Sequence, residues 1–379
     1  MEIAPFRIER YYSRFEFSTP YMLSSSDCES RAVSELLALE DDALPRLLSL
    51  RCGYRESEGS ADLRAAIAAI YEALDAADVL VTSCAEEAIF LLYHCLLGPG
   101  DHAIVETPCY ESALEVARST GADVSEWRRT YDDGWAHDVA ALEDLLRPNT
   151  RVLYINQPHN PTGTIMDAAT FGAVVELARS HGLVLFSDEV YRELEHDRGD
   201  RLPAACDVYD RAVSLGSISK SYGLPGLRIG WIATRDRALR EQMLDLKHYT
   251  TICAPGPSEF LTALALRNRH VLLERNLEMA RENLTLLDAF FAKRPEQFSW
   301  VRPKGGPIGF PRLDGLGDAD RLCEQVAAAG ALLLPGSVYD VPDHVRVGFG
   351  RANFAEALSV FDEFLTVRLG YRAGASDPP

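Results

Sequence analysis

Residues 217–231 read SISKSYGLPGLRIGW. The apolar run AVSLGSIS (212–219) predicts a strand that ends as the chain reaches Lys220, and IGWIAT (229–234) predicts another after a turn rich in Gly and Pro. Upstream, further strands are expected at VLVT (79–82), HAIVET (102–107), RVLYIN (151–156) and LVLFSDEV (183–190). Helical periodicity separates them over 60–74 and 85–97, and near 110–120, 138–147 and 167–181. That alternation is the pattern of an α/β domain with a largely parallel sheet. After about residue 256 the texture changes to a long helical region reaching about 293. The segments SWVRP, PIGFPRL, ALLLPG and VRVGFG then predict short strands with helices between them. The expected division is a large domain over 46–255 and a small α+β domain built from 1–45 with 256–379. The tail GASDPP (374–379) is expected to lack order.

Composition narrows the function classes. The 379 residues are 47% hydrophobic and 25% charged, ordinary usage for a globular protein with ample core. A formal charge of -19 argues against nucleic acid or an anionic membrane as partner, since both favour a basic footprint. The eight cysteines form no Cys-x-x-Cys pair and several sit in apolar runs, so a reducing cytoplasm without structural disulfides is expected. No window approaches the roughly 18 apolar residues of a membrane span, and the charged N-terminus does not resemble an export signal. No Gly-x-Gly-x-x-Gly follows the first strand, and the nine histidines are dispersed without ligand spacing, so dinucleotide and metal chemistry are disfavoured.

Lys220 is the nucleophile candidate. A lysine at a strand's end is able to shed its proton when desolvated, and Ser217, Ser219 and Arg228 offer two hydroxyls and a guanidinium for a phosphate. Asn160-Pro161-Thr162-Gly163 is a rigid turn after the 151–156 strand, where open α/β sheets bind ligands. Asp188 ends a strongly apolar strand and needs a charged or hydrogen-bonded partner, or else serves as a helix cap. Ser83, Cys84 and Ala85 join a strand to a helix, a geometry that receives anions on backbone amides. Glu86 must then point away from the anion or be screened. Arg346, between apolar residues of VRVGFG, is oddly placed for a guanidinium without an anion, and Arg351 is the alternative. Glu189 reads as an outward neighbour and His159 as a surface turn residue.

The run around Lys220 resembles the lysine signature of fold-type I pyridoxal 5'-phosphate (PLP) enzymes, the aminotransferase class I/II family. The resemblance extends in order from Tyr54 to Arg346. It implies a mostly parallel seven-stranded sheet with a smaller α+β domain, PLP held by Lys220 as a Schiff base, and phosphate ligands at Ser217, Ser219 and Arg228. By the same resemblance Asn160 and Tyr191 meet the cofactor's phenolic oxygen, Asp188 its pyridine nitrogen, and Tyr110 stacks on its ring. Arg346 then holds the substrate carboxylate, while Tyr54 reaches the phosphate of a neighbouring subunit in a homodimer. Cys84 stands where the family usually has glycine.

The expected reaction is transfer of an α-amino group from an amino acid to a 2-keto acid. The same residues serve a lyase or cyclase acting on an arginine-like amino acid, of the capreomycidine synthase type. Asp27 and Glu29, in the loop LSSSDCES (23–30), motivate that alternative as partners for a cationic side chain. Ser26 and Glu29 also have the spacing of a capping box for a helix over roughly 29–39. A PLP-binding sensor domain is disfavoured because no basic DNA-binding extension is present.

Overall fold

The computed structural model describes residues 2–368 and 370; the 374–379 tail lies outside them. Its centre is a seven-stranded sheet of β1 (Val79–Thr82), β2 (His102–Thr107), β3 (Asp123–Arg128), β4 (Thr150–Asn156), β5 (Val184–Asp188), β6 (Ala212–Ser217) and β7 (Gly230–Ala233). Across the sheet the order is β1-β7-β6-β5-β4-β2-β3. Only β7 runs antiparallel, to β6 on one side and β1 on the other. The buried strands are continuous apolar runs because helices cover both faces. β3 was not expected: its DVSEWR sequence is polar and partly exposed, as an edge strand tolerates.

One face of the sheet packs on the helices Cys84–Leu96 and Glu111–Ser119, burying Ile89, Leu92, Val116, Val152 and Phe186 in one cluster. Ala168–Ser180 covers the other face through Phe171, Val174 and Val175. A third cluster joins Leu63 and Ile67 to Trp231, Ala263, Leu266 and Leu272, so the helix Gly256–Arg267 packs beside β7. The fourth unites Ile8, Tyr11 and Leu23 with Leu284, Phe291, Val326, Val345 and Phe361. There Tyr21–Met22 pairs in parallel with Ala331–Leu332, and Val345–Gly348 is flanked by Ile308–Gly309 and Leu334–Pro335. The N-terminal segment is thereby carried across the sheet's C-terminal edge. Among the described residues no helix is long and apolar enough to cross a membrane.

The helix expected from residue 29 begins only at Val33 and ends at Leu37. Its N-terminal amide, that of Ala32, is bound by Glu35, so the Ser26/Glu29 spacing forms no cap. The helix expected over 60–74 stops at Ala68, giving way to a turn.

Candidate active site

Parallel strands end together, and here β4, β5 and β6 deliver Asn156, Asp188 and Ser217 to one edge, with Asn156 and Asp188 register partners. Above that edge lies a cavity of about 800 Å³. Lys220, Asp188, Asn160, Tyr191, Ser217, Ser219, Arg228, Cys84, Ala85, Tyr110, Asp27, Arg346 and Arg351 all line it.

Lys220 Nζ donates to Ser26 Oγ at 3.0 Å. Burial lowers the lysine's pKa, which favours the neutral amine, while Asp27 opposes that shift. Tyr191 is fully buried, and burial pushes the pKa of its hydroxyl up. The loop carrying Ser26 is wedged beneath residues 348–350: a Cβ on Gly348 would stand 1.8 Å from Ser25 O. Only glycine there lets Ser26 and Asp27 reach the cavity.

Asp188 accepts from Val190 N and from Tyr154 Oη, both at 3.1 Å. Burial nevertheless pushes its carboxyl up to about 6. No helix starts there, so the cap reading fails; the residue closes a turn instead. Asn160 Oδ1 accepts from Arg346 Nη1 (3.1 Å) and Tyr339 Oη (3.2 Å), leaving its Nδ2 as a donor. Arg346, 1% exposed, also donates to Tyr12 Oη (2.7 Å) and Ser24 O (2.8 Å), and among the described residues forms no ion pair. Arg351 pairs with Asp27 at 2.9 Å.

At the other end of the cavity Ser217 Oγ donates to Ser219 Oγ (3.0 Å), and Arg228 donates to Pro225 O (3.0 Å). The helix Cys84–Leu96 starts here, and Cys84 has φ 70°, the left-handed conformation glycine would favour. A Cβ on Gly230 would lie 2.5 Å from Cys84 C, so the bare glycine admits this helix start onto the sheet.

Several expectations need correction. Ser83 does not line the cavity, and its amide is taken by Glu87 Oε2 at 2.6 Å. Glu29 also lies outside, with its carboxylate accepting from Ala352 N. Glu86 faces the cavity rather than away from it; burial raises its carboxyl to about 7, which softens its conflict with an anion. Glu189 is buried, accepting from Ala205 N and Ser214 Oγ. His159 is buried too, between Thr162 Oγ1 and Pro108 O. Tyr54, expected to serve a neighbouring subunit and not its own chain, needs no such correction: it is 89% exposed and outside its own chain's cavity. Sequence reasoning missed Tyr12, Tyr154 and Tyr339 altogether, and noted Ser26 in the serine run and the capping-box spacing without seeing it as the partner of Lys220.

The set matches the needs of one cofactor: hydroxyls, a guanidinium and an uncapped helix start for a phosphate, a buried carboxylate for a ring nitrogen, and a desolvated amine between them. Residues 43–360 match the family model for aminotransferase class I and II. The chain belongs to that family. As a class I/II aminotransferase it is PLP-dependent. It is 32% identical to a capreomycidine synthase of Streptomyces vinaceus, with 97% of this chain and 94% of the relative covered. It is 31% identical to an arginine–pyruvate transaminase of Pseudomonas aeruginosa, covering 81% and 80%. A PLP-dependent aminotransferase from Streptococcus suis superposes with a TM-score of 0.92 at 30% identity, covering 99% and 100% of the two chains.

Proposed function

We propose that this aminotransferase takes its amino group from a basic amino acid, with Lys220 as the proton-moving residue. The carrying observation is that Lys220, Asp188, Asn160, Tyr191 and Arg346 face one cavity whose wall also holds Glu9, Glu16, Asp27 and Glu86. Arg346 and Asn160 orient the substrate carboxylate, since Arg346 has hydroxyls and carbonyls about it but no carboxylate. Ser217, Ser219, Arg228 and the amides of Cys84 and Ala85 hold the PLP phosphate, and Asp188 its ring nitrogen. Tyr110 covers the ring. PLP, when bound, supplies a ring that accepts the electron pair left as the α-proton departs. Lys220 removes that proton from the α-carbon, and its desolvated amine suits the task. Ser26 steers the amine by hydrogen bonding.

A basic side chain is supported by the acidic wall and by the names of the two relatives. Asp27 is partly committed to Arg351 and Glu9 to the Tyr110 hydroxyl, and burial raises the Glu86 carboxyl to about 7, so Glu16 carries more of that reading than the other three do. The capreomycidine synthase relative favours a second reading, in which the same proton removal leads to elimination or cyclisation of an arginine-like substrate. We further propose a cytoplasmic homodimer in which Tyr54 completes the neighbouring site. Tyr54 is exposed and so free to meet another subunit.

One experiment separates the readings. The purified holoenzyme is mixed with single amino acids, arginine and hydroxylated arginine included, without a keto acid, and its absorbance is followed. Stoichiometric conversion to the amino form of the cofactor by a basic amino acid, reversed by a keto acid, supports the transaminase. Continuous consumption of the amino acid without an acceptor supports the cyclase or lyase. Conversion by neutral or acidic amino acids alone sinks the basic-donor reading.

A further inference from the structure

Behind the cavity lies a buried ionic group with no assigned role. Glu106, at the end of β2, is wholly buried. Its Oε1 accepts from Arg129 Nη1 (2.7 Å) and His137 Nε2 (2.8 Å), and its Oε2 from the backbone N of Asn156 (2.8 Å). Arg129 continues to Thr164 Oγ1 (2.6 Å), Thr164 to Thr162 (2.7 Å), and Thr162 to His159 Nδ1 (2.7 Å). The 157–164 turn is thus held from below by a polar network rooted in one carboxylate. Burial alone would raise that carboxyl, but the charges of His159, His137 and Arg129 hold it below the usual carboxylate range.

The consequence reaches the cavity through Asn156. Asn156 Oδ1 accepts from Asn160 N (2.7 Å) and its Nδ2 donates to Asp188 O (2.9 Å). A single side chain therefore ties together the backbones of Asn160, whose side-chain amide meets Arg346, and of Asp188 at the end of β5. From this geometry we infer that Glu106 is a positioning residue, acting through Asn156 to fix Asn160 and Asp188 relative to each other. The inference rests on the proposed roles of Asn160 and Asp188. A buried charge is costly unless fully paired, and a fully paired one orients its partners tightly. Small displacements at such a site are expensive, about a hundredfold in rate for ~1 Å.

The test compares Glu106→Gln, Asn156→Ala, their double variant and Asn160→Ala as holoenzymes. Readouts are the pH midpoint of the bound cofactor's absorbance, and the half-saturating donor concentration and maximal rate of the first half-reaction. Glu106→Gln is expected to raise the midpoint, because a loosened Asn160 donates less well to the phenolic oxygen, and to raise half-saturation about tenfold. In the Asn156→Ala background it should add less than it does alone, since the link through Asn156 is already cut and only the route through Arg129 and Thr164 remains. If Glu106→Gln fails to fold with Arg129 left unpaired, Glu106→Gln/Arg129→Gln is compared with Arg129→Gln alone. An unmoved midpoint and half-saturation, or effects that simply add to those of Asn156→Ala, overturn the inference. If Asn160→Ala shifts the readouts and Glu106→Gln does not, only the positioning role falls. If Asn160→Ala shifts nothing, the reading of the site falls and the positioning role with it.

Discussion

Asp188 shows how one side chain carries opposite demands. Burial lifts its carboxyl to about 6, against the Val190 amide and the Tyr154 hydroxyl that favour the anion. The folded chain then binds more protons than the unfolded chain between the ordinary carboxylate value of 3.8 and about 6. Stability contributed by the protonated form is complete below that window and is lost as pH rises through it. Asp188→Asn should therefore raise the melting temperature of the cofactor-free protein at pH 7.5, by about 2 °C or more, and leave it unchanged near pH 4. With PLP bound the sign reverses, because the carboxylate gains a cationic partner that asparagine lacks. Equal melting temperatures of wild type and variant at pH 7.5 without cofactor would contradict the account. Lys220→Ala makes a sharper demand: borohydride treatment of the holoprotein should no longer leave cofactor mass on the chain, and turnover should vanish while the circular dichroism spectrum stays native.

At the scale of elements, the site depends on a loop brought from the N-terminus. Residues 23–29 lie between the Lys220 turn and the 348–350 stretch: Cys28 N donates to Lys220 O, and Gly348 N to Leu23 O. Gly348→Ala must push Ser25 aside and with it Ser26, the partner of Lys220. The expected cost is about 1–3 kcal/mol by chemical denaturation, as for overpacking, with a fall in the maximal half-reaction rate. A rate unchanged despite the lost stability would show that the loop's position does not govern the amine. This is also where legibility in sequence divides. Strands β1, β2, β4, β5, β6 and β7 were readable because burial on both faces makes each a continuous apolar run. β3 was not, because an edge strand with polar residues looks like a loop. Lys220, Asp188 and Asn160 announced themselves by unusual chemistry at strand ends. Ser26, Tyr12 and Tyr154 did not, because their importance comes from which distant segment they meet: Tyr12 Oη reaches Arg346 from 334 residues away. The capping-box spacing of Ser26 and Glu29 misled for the same reason, since tertiary partners outbid the local hydrogen bonds that spacing advertises.

For the whole molecule the relevant quantity is its field. A net charge of -19 on 379 residues makes the field of the whole chain negative, and Glu9, Glu16, Asp27 and Glu86 stand on the cavity wall beside Lys220, Arg228, Arg346 and Arg351. Low-dielectric walls focus such a potential, and salt weakens it once charges are separated by more than the Debye length, about 10 Å at 0.1 M. A cationic side chain should therefore enter faster than a neutral one of equal size, and its advantage should shrink with salt. Measured as kcat/KM, the preference for arginine over a neutral donor of similar length should fall several-fold between low and physiological ionic strength, while the neutral donor's own value moves little. Glu16→Gln should reduce the same preference at low salt and flatten its salt dependence, since it removes one of the carboxylates on the cavity wall. A preference independent of salt would mean that arginine is chosen by contacts inside the cavity alone. No preference at any salt would detach the acidic wall from substrate choice and leave its carboxylates a structural explanation only.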